Sequence, residues 1–316
     1  VARKKKTALV IWLRRLSQTA FFLLFVWLFL ETVFHPINRV GGPVKLFFEM
    51  DPLVAVTVWV TRHAVPAAFL LALATALVTL FFGRWFCGWV CPFGAVHTLF
   101  SALRGGKAKA KILVGGYSRW QKAKYSALVV FLAGALLGVN SVGWLDPFSF
   151  LYRSMATAVY PAVNSATRSV FTWIYDVDPG IGKARVTAVS EPAYDVLRRY
   201  FLALEQPHFV GALLIGGLFA VVLALNLYRS RFWCRFVCPL GALLGVIGKN
   251  PLVRVTKVPE RCNDCLLCVV DCQGGANPSG GDGWKPAECL YCWNCDDACP
   301  TRGIRIRFGL PKEDRP

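Results

Sequence analysis

Hydrophobic residues in this chain gather into four long blocks, near residues 12–34, 64–85, 125–145 and 208–229, separated by stretches in which polar and apolar positions mix. A helix rising ~1.5 Å per residue needs roughly 20 apolar residues to cross a hydrocarbon layer of ~30 Å, and each block meets that length. The pattern therefore predicts four transmembrane helices. Beyond residue 250 it changes: Leu252-Val-Arg-Val-Thr and Gly303-Ile-Arg-Ile-Arg-Phe308 alternate with the period of a strand and predict two short strands paired as a hairpin. Between the blocks, the stretches around Ser149 to Tyr175 and Tyr194 to Leu204 mix aromatics, Leu and Arg at helical spacing and predict short interfacial helices.

Composition agrees with a membrane chain. Of 316 residues, 55% are hydrophobic and only 17% charged, too apolar for an ordinary soluble domain of this size. The net charge of +18 raises the question of nucleic acid, but the basic residues sit in short segments beside the apolar blocks and no basic-aromatic reading module is present. They report orientation instead. Arg3, Lys4, Lys5, Lys6, Arg14 and Arg15 precede or open the first block, and the interval 83–124 holds eight Lys and Arg with no acidic residue, so both flanks are expected on the cytoplasmic side. Four crossings return the C-terminus to the cytoplasm and leave 35–63 and 146–207 as extracytoplasmic segments. The second balances six Lys/Arg against six Asp/Glu and is too long for a plain connector. The first apolar block outruns a signal core and lacks a small-residue cleavage site before Pro36, so it reads as a retained anchor.

The chain repeats itself. Arg84-Trp-Phe-Cys87-Gly-Trp-Val-Cys91-Pro92-Phe-Gly94-Ala95 matches Arg231-Phe-Trp-Cys234-Arg-Phe-Val-Cys238-Pro239-Leu-Gly241-Ala242, and upstream Asp51-Pro52-Leu53 matches Asp146-Pro147-Phe148. Helices one and two then pair with three and four as parallel copies about an axis along the membrane normal.

All 12 cysteines fall in four regularly spaced motifs, which is the pattern of metal ligation and not of a disulfide framework. Cys262-x-x-Cys265-x-x-Cys268-x-x-x-Cys272 and Cys289-x-x-Cys292-x-x-Cys295-x-x-x-Cys299-Pro300 form the run of a two-cluster bacterial ferredoxin. Three thiolates on one tight loop reach three corners of a 4Fe-4S cube, and the fourth comes from the other loop. By that rule Cys262, Cys265, Cys268 and Cys299 hold one cluster, and Cys289, Cys292, Cys295 and Cys272 the other. Paired C-x-x-C also binds zinc, but zinc does not need the third and fourth cysteines at these offsets. Cys272 is followed by Gln273 where Cys299 is followed by Pro300, which bears on hydrogen bonding around the second cluster.

Cys87, Cys91, Cys234 and Cys238 are a different case. Each pair spans one helical turn, and the proline after Cys91 and Cys238 opens a new segment there, giving a bent junction. Three readings stand: the four thiols converge on a third metal or iron-sulfur centre near the inner face, they act as redox dithiols, or they are inert buried thiols. His63 and His208, each at the outer start of a cysteine-bearing helix, are candidates for binding a quinol or haem, or simple interfacial residues. Asp51 and Asp146 are candidate helix caps or proton acceptors.

With these residues in view, the chain resembles the NapH/NosR-type membrane polyferredoxins, the 4Fe-4S membrane components of quinol dehydrogenases, over nearly its whole length and including Arg14-Arg15-Leu-x-Gln18. The expected architecture is an α-helical integral membrane protein of about four transmembrane helices in two parallel repeats (1–250), with a C-terminal two-cluster ferredoxin-like α+β domain (251–316). The resemblance implies a subunit of the bacterial cytoplasmic membrane, both termini cytoplasmic, with two 4Fe-4S clusters, quinone or quinol as a candidate ligand, and a redox partner protein. It implies electron exchange between the quinone pool, or that partner, and the clusters. No segment resembles the flavin-attachment region of NosR-like architectures, and the segment 146–207 is longer than a minimal NapH-like chain needs. Two alternatives are a metal reductase serving metalloenzyme maturation, as the similar CcoG-type proteins imply, and a redox-sensing membrane anchor. No nucleophile-base constellation supports hydrolysis.

Overall fold

The computed structural model describes residues 2–34, 44–63, 69–105, 108–177, 180–181, 184–185, 187–202, 209–279 and 283–309. His208 lies outside them. Along the chain the helices are α1 (Ala2–Phe34), α2 (Lys45–Glu49), α3 (Pro52–Arg62), α4 (Leu70–Phe82), α5 (Trp85–Trp89), α6 (Pro92–Ala102), α7 (Ala108–Gly115), α8 (Ala123–Leu136), α9 (Pro147–Ser154), α10 (Tyr160–Val177), α11 (Thr187–Tyr200), α12 (Ala212–Tyr228), α13 (Phe232–Phe236), α14 (Pro239–Ile247), α15 (Leu267–Val270) and α16 (Asn294–Asp297). The strands are β1 (Gly180–Ile181), β2 (Ala184–Arg185), β3 (Val253–Lys257) and β4 (Ile304–Phe308). The chain forms two compact units, one of residues 1–26, 44–150 and 222–316, the other of residues 27–43 and 151–221.

In the first unit, α3, α4, α8 and α14 pack on one another. Their starts follow from local chemistry. The Asp51 carboxylate caps α3 by accepting from the amides of Leu53 (2.7 Å) and Val54 (3.3 Å), with Pro52 at the first helical position where its missing N–H costs nothing. α3 closes on His63 in the left-handed region (φ 51°), a helix C-cap and not the opening of the next helix. α8 stops at Leu136, and the chain turns at Gly138, whose φ of +81° is cheap for glycine alone.

Length tells the helices apart. Among the described residues one helical stretch, Thr7–Thr32, is long and apolar enough to cross a membrane. The other three apolar blocks contain α4 with 13 residues, α8 with 14 and α12 with 17, roughly 20–25 Å each and short of a ~30 Å hydrocarbon layer taken singly. α3 lies where an extracytoplasmic connector was expected. Its run Pro52-Leu-Val-Ala-Val-Thr-Val-Trp-Val is apolar, but α3 has only 11 residues, too short to cross a ~30 Å layer, and it packs inside the unit.

The C-terminal cysteine segment belongs to this same unit. β3 and β4 pair antiparallel from Val253↔Phe308 to Lys257↔Ile304, and Val255, Cys268, Val269 and Ile304 make a small core beneath them. Backbone bonds join the hairpin to the helices: Leu252 donates to the Phe81 carbonyl (2.8 Å), and Gly309 donates back to Leu252 (2.9 Å). The start of α1 adds side chains, with Arg14 donating to Gln273 (3.0 Å) and Asn294 (3.3 Å), and Thr7 to Asp296 (2.8 Å).

The second unit pairs α10 with α11 and carries the two-residue β1–β2 ladder. Phe29 packs edge-on against Tyr152 and Tyr160, and Phe171 lies 5.0 Å from Tyr194. These helices take the place of the two short interfacial helices the spacing predicts. A π-helical turn at Met155–Val159 links α9 to α10.

Candidate redox site

The two repeat motifs fold alike. Cys87 and Cys234 sit on the single-turn helices α5 and α13, the chain breaks, and Cys91 and Cys238 become the N-caps of α6 and α14, their sulfurs accepting from the amides of Gly94 (3.4 Å) and Gly241 (3.2 Å). The break is where the prolines demand it, since the residue before proline is driven to extended backbone: ψ is 117° at Cys91 and 109° at Cys238. All four thiols are buried. They are also mutual neighbours: burial first, then the Cys87 and Cys234 thiols, push Cys91 well above the usual thiol range, and burial followed by Cys234 and Cys87 does the same to Cys238.

Each repeat completes the other. Arg84 of the first donates to the Cys234 carbonyl (3.3 Å), and Arg231 of the second donates to the Cys87 carbonyl (2.6 Å). Glycine makes this crossing feasible: a Cβ at Gly94 would stand 3.3 Å from Arg231 Nη1 and 2.7 Å from the Cys87 carbonyl, and one at Gly241 would stand 2.5 Å from Arg84 Nη2. Two fully buried guanidiniums and two helix N-termini thus surround four thiols. That setting favours an anionic, thiolate-bound group.

In the C-terminal segment the thiols ride on loops. The residues flanking the middle cysteine of each loop, Asp264 and Leu266, then Tyr291 and Trp293, all have φ between 49° and 58°. Left-handed residues in such turns swing successive amides inward into a concavity that suits an anion. Cys272, Cys289, Cys292 and Cys295 line one cavity together with Trp284 and Tyr291, so Cys272 stands with the second loop. Cys299 is a neighbour of Cys268, whose sulfur contacts the Ser279 hydroxyl at 2.8 Å. Against a burial penalty, the amides of Ile304, Thr301 and Gly303 and the Thr301 hydroxyl hold the Cys299 thiol below its usual value. Cys265 is exposed and Cys262 half-buried.

Among the described residues no three His, Cys, Asp or Glu side chains stand close enough to share a single metal ion. A cube spreads its thiolates wider than one ion does, because each sulfur binds a different iron. The donor sets, the inward amides and the guanidiniums fit cubes.

The repeat thiols and the ferredoxin loops abut. A Cβ on Gly88 would fall 2.2 Å from the Leu290 carbonyl, so Cys87-Gly88 and Cys289-Leu290 run in direct backbone contact, and Trp89 Nε1 donates to the Tyr291 carbonyl (3.0 Å). Beside this contact Glu288, 3% exposed, takes hydrogen bonds or ion pairs from Arg84 (3.2 Å), Gln121 (3.1 Å), Tyr125 (3.0 Å) and Lys124. Arg235 closes the other flank, donating to the Gly115 carbonyl (2.5 Å) and acting electrostatically on Cys272. His97 is fully buried against Phe93 and bonds the Asn226 side chain (2.9 Å). None of Lys124, Glu288 or His97 stood out in the sequence. Arg84 and Arg231 stood in the repeat, and their recurrence three positions before a cysteine was the available signal.

Asp51 and Asp146 match in the two repeats. Both are wholly buried, Asp146 accepts from the Ser149 amide (2.8 Å) as Asp51 does from its own helix, and one oxygen of each, Asp51 Oδ2 and Asp146 Oδ1, has no hydrogen-bond partner among the described residues.

Comparison with known proteins bears on these sites. The family model described as a 4Fe-4S binding domain matches residues 64–111 and 210–259, the two stretches that carry Cys87/Cys91 and Cys234/Cys238. Protein NirI of Paracoccus denitrificans (strain Pd 1222) is 30% identical over 268 residues, 82% of this chain and 32% of that protein. Regulatory protein NosR of Stutzerimonas stutzeri is 26% identical over 74% of this chain and 27% of its own. Ferredoxin-type protein NapH of Escherichia coli (strain K12) is 26% identical over 79% of this chain and 71% of its own. These matches support a NapH/NosR-type polyferredoxin family for the chain. It spans only about a third of NirI and about a quarter of NosR. The doubled 4Fe-4S match falls on the repeats and supports 4Fe-4S clusters in the chain. No solved structure matches the chain.

Proposed function

We propose that this chain is a membrane-bound iron-sulfur electron-transfer subunit in which the repeat thiols and the two ferredoxin loops form one continuous conduit. The observation that carries the reading is the backbone contact between Gly88 and Leu290, each next in sequence to a cysteine of its own set. Cys87, Cys91, Cys234 and Cys238 would hold one centre; Cys289, Cys292, Cys295 and Cys272 the next; Cys262, Cys265, Cys268 and Cys299 the last. A 4Fe-4S cube, when bound, passes one electron at a time. The residues do the rest. Arg84 and Arg231 offset negative charge at the first set, Glu288 fixes the approach of the second, and exposed Cys265 puts the third within reach of a partner protein. A quinone or quinol at the membrane side supplies or takes the electrons, as the resemblance implies.

Four membrane crossings with both termini cytoplasmic belong to this reading. Large apolar side chains on α4 face outward, with Leu70 69% and Leu73 57% exposed, as do Leu213 (92%) and Leu214 (79%) on α12, and lipid is the solvent that suits them.

An anaerobic iron and sulfide count with EPR tests the conduit, on the parent and on a variant with Cys87, Cys91, Cys234 and Cys238 changed to Ser. The expected result is more iron than two cubes hold in the parent, with the excess lost in the variant. Equal counts limited to two cubes would remove the first centre and leave the repeat thiols as dithiols or structural groups.

A further inference from the structure

Arg14 and Arg235 are each only 1% exposed, and their hydrogen-bond partners are neutral. Arg14 donates to the side chains of Gln273 (3.0 Å) and Asn294 (3.3 Å), and Arg235 to the carbonyls of Gly115 (2.5 Å) and Gly116 (3.2 Å). The Nε of each has no hydrogen-bond partner among the described residues. A guanidinium keeps its proton in a protein, and a charge buried without a counter-ion is expensive. An anion held beside both side chains is the setting that accounts for them.

Both lean on the same thiols. Gln273 follows Cys272 and Asn294 precedes Cys295, so the fork of Arg14 ties together the two loops that bring these sulfurs into one cavity with Cys289 and Cys292. Asn294 extends the tie by donating to the Asp271 carbonyl (3.3 Å). From the other flank Arg235 lies on the backbone of the Cys272 loop: Gly275 stands at φ +66°, and a Cβ there would collide with the guanidinium. The first repeat has Gly88 in the place of Arg235, so this cation is supplied from one side only.

The outer set, Cys262, Cys265, Cys268 and Cys299, is placed differently. Among the described residues no buried cation bonds to the segment 259–270 that carries its first three thiols. The charges around it are exposed: Lys257 is paired to Asp264 (2.7 Å), and Asp296, Asp297 and Arg302 line a cavity with Cys299. Hydrogen bonds to sulfur do not tell the two sets apart, since the Ala276 amide donates to Cys272 (3.2 Å) and the Gly303 amide to Cys299 (3.1 Å). Charge and exposure remain as the differences that set potential. Burial by itself favours the less negative, oxidised state and would place the inner set lower. Two unpaired guanidiniums in the same dry surroundings oppose that, because attraction between charges is strongest where water is absent.

We propose that Arg14 and Arg235 are positioning residues whose charges hold the cluster of Cys272, Cys289, Cys292 and Cys295 at a higher reduction potential than the cluster of Cys262, Cys265, Cys268 and Cys299. An electron entering at the exposed set then moves inward and rests at the buried one. This rests on the assignment of cubes to both ferredoxin loops in the conduit described above. The step is a transfer of one electron, in which the inner set gains what the outer set loses and a reduced partner protein restores the outer set; no bond forms or breaks.

Anaerobic redox titration of the full chain in detergent, followed by EPR, reads one midpoint for each cube. Cys295→Ser and Cys265→Ser each trade a sulfur ligand for oxygen in one set, and so mark which midpoint belongs to which. The inner midpoint is expected above the outer. It is expected to fall in Arg14→Gln, to fall further in Arg14→Gln/Arg235→Gln, and to stay near the parental value in Arg14→Lys and Arg235→Lys, while the outer midpoint holds throughout. Lysine keeps the charge and loses the fork, so arginines with a purely structural role would fail alike as lysine and as glutamine. The parent alone supplies a second measurement where a glutamine variant does not fold: added salt is expected to raise the outer midpoint by screening the incoming charge and to leave the inner one in place. An inner midpoint at or below the outer, one unmoved by glutamine, or one that follows salt overturns the proposal. Iron and EPR short of two cubes would remove the conduit reading and this proposal together; two cubes with an unmoved inner midpoint overturn the proposal alone.

Discussion

The chain presents its cysteines in two different ways. The ferredoxin loops hold theirs on irregular backbone beside a cluster that includes Val255, Cys268, Val269 and Ile304, with left-handed residues around each middle cysteine. The repeats hold theirs at helix ends, with capping amides, crossed arginines and the packing of α3, α4, α8 and α14 behind them. Irregular backbone supplies few ladder bonds of its own, so clusters bound at these loops would carry much of the ordering there. The repeats have a helical frame of α3, α4, α8 and α14 packed on one another behind the thiols.

Removing iron should separate the regions most. Anaerobic chelation is expected to strip hydrogen-exchange protection from residues 251–309 while α3, α4, α8 and α14 keep theirs; equal loss in both would erase the distinction. The next largest effect joins the regions. Glu288→Ala leaves Arg84 and Lys124 as buried, uncompensated charges and is expected to cost about 3–5 kcal/mol, read as a fall in the thermal midpoint of the whole first unit. An unchanged midpoint would mean the regions do not depend on this acid.

A smaller change addresses their contact alone. Gly88→Ala drives a methyl into the Leu290 carbonyl, so a loss of about 1–3 kcal/mol is expected, with slower electron passage in stopped-flow reduction of the ferredoxin clusters. Normal rates would show that electrons do not cross there. The least effect lies at the exposed rim, where Lys257 and Asp264 pair at 2.7 Å. A hydrogen bond from Lys257 holds the Asp264 carboxyl below its ordinary value, and the bond to Asp264 raises Lys257. The pair's contribution is therefore full between about pH 4 and about pH 10. It fades as pH falls through the lowered carboxyl value or rises through the raised ammonium value. Salt should abolish it in thermal melts, and Lys257→Met should leave stability unchanged at high ionic strength.

What the sequence disclosed depended on how local each feature is. The hairpin was legible because Val253 to Lys257 and Ile304 to Phe308 alternate with period two, and the regular spacing of the eight C-terminal cysteines is a local pattern of the same kind. The repeat was legible because its residues recur in order. α3 was not, since an 11-residue apolar helix passes for a connector when only span length is counted. Nor were the partners of Glu288, which lie more than 160 residues away in sequence, or the crossing of Arg84 and Arg231. Repeated residues announce that two copies exist. They do not announce which copy each side chain serves.

That crossing has a consequence for how such a chain can be divided. Half of it would carry an arginine with no carbonyl to receive it and a glycine clearing space for an absent guanidinium, so a single repeat is not a smaller version of the site. Two identical halves facing each other would satisfy both needs. The minimal working unit is a pair, and joining the halves in one polypeptide is what lets each side of the pair change on its own, as Gly88 opposite Arg235 already shows.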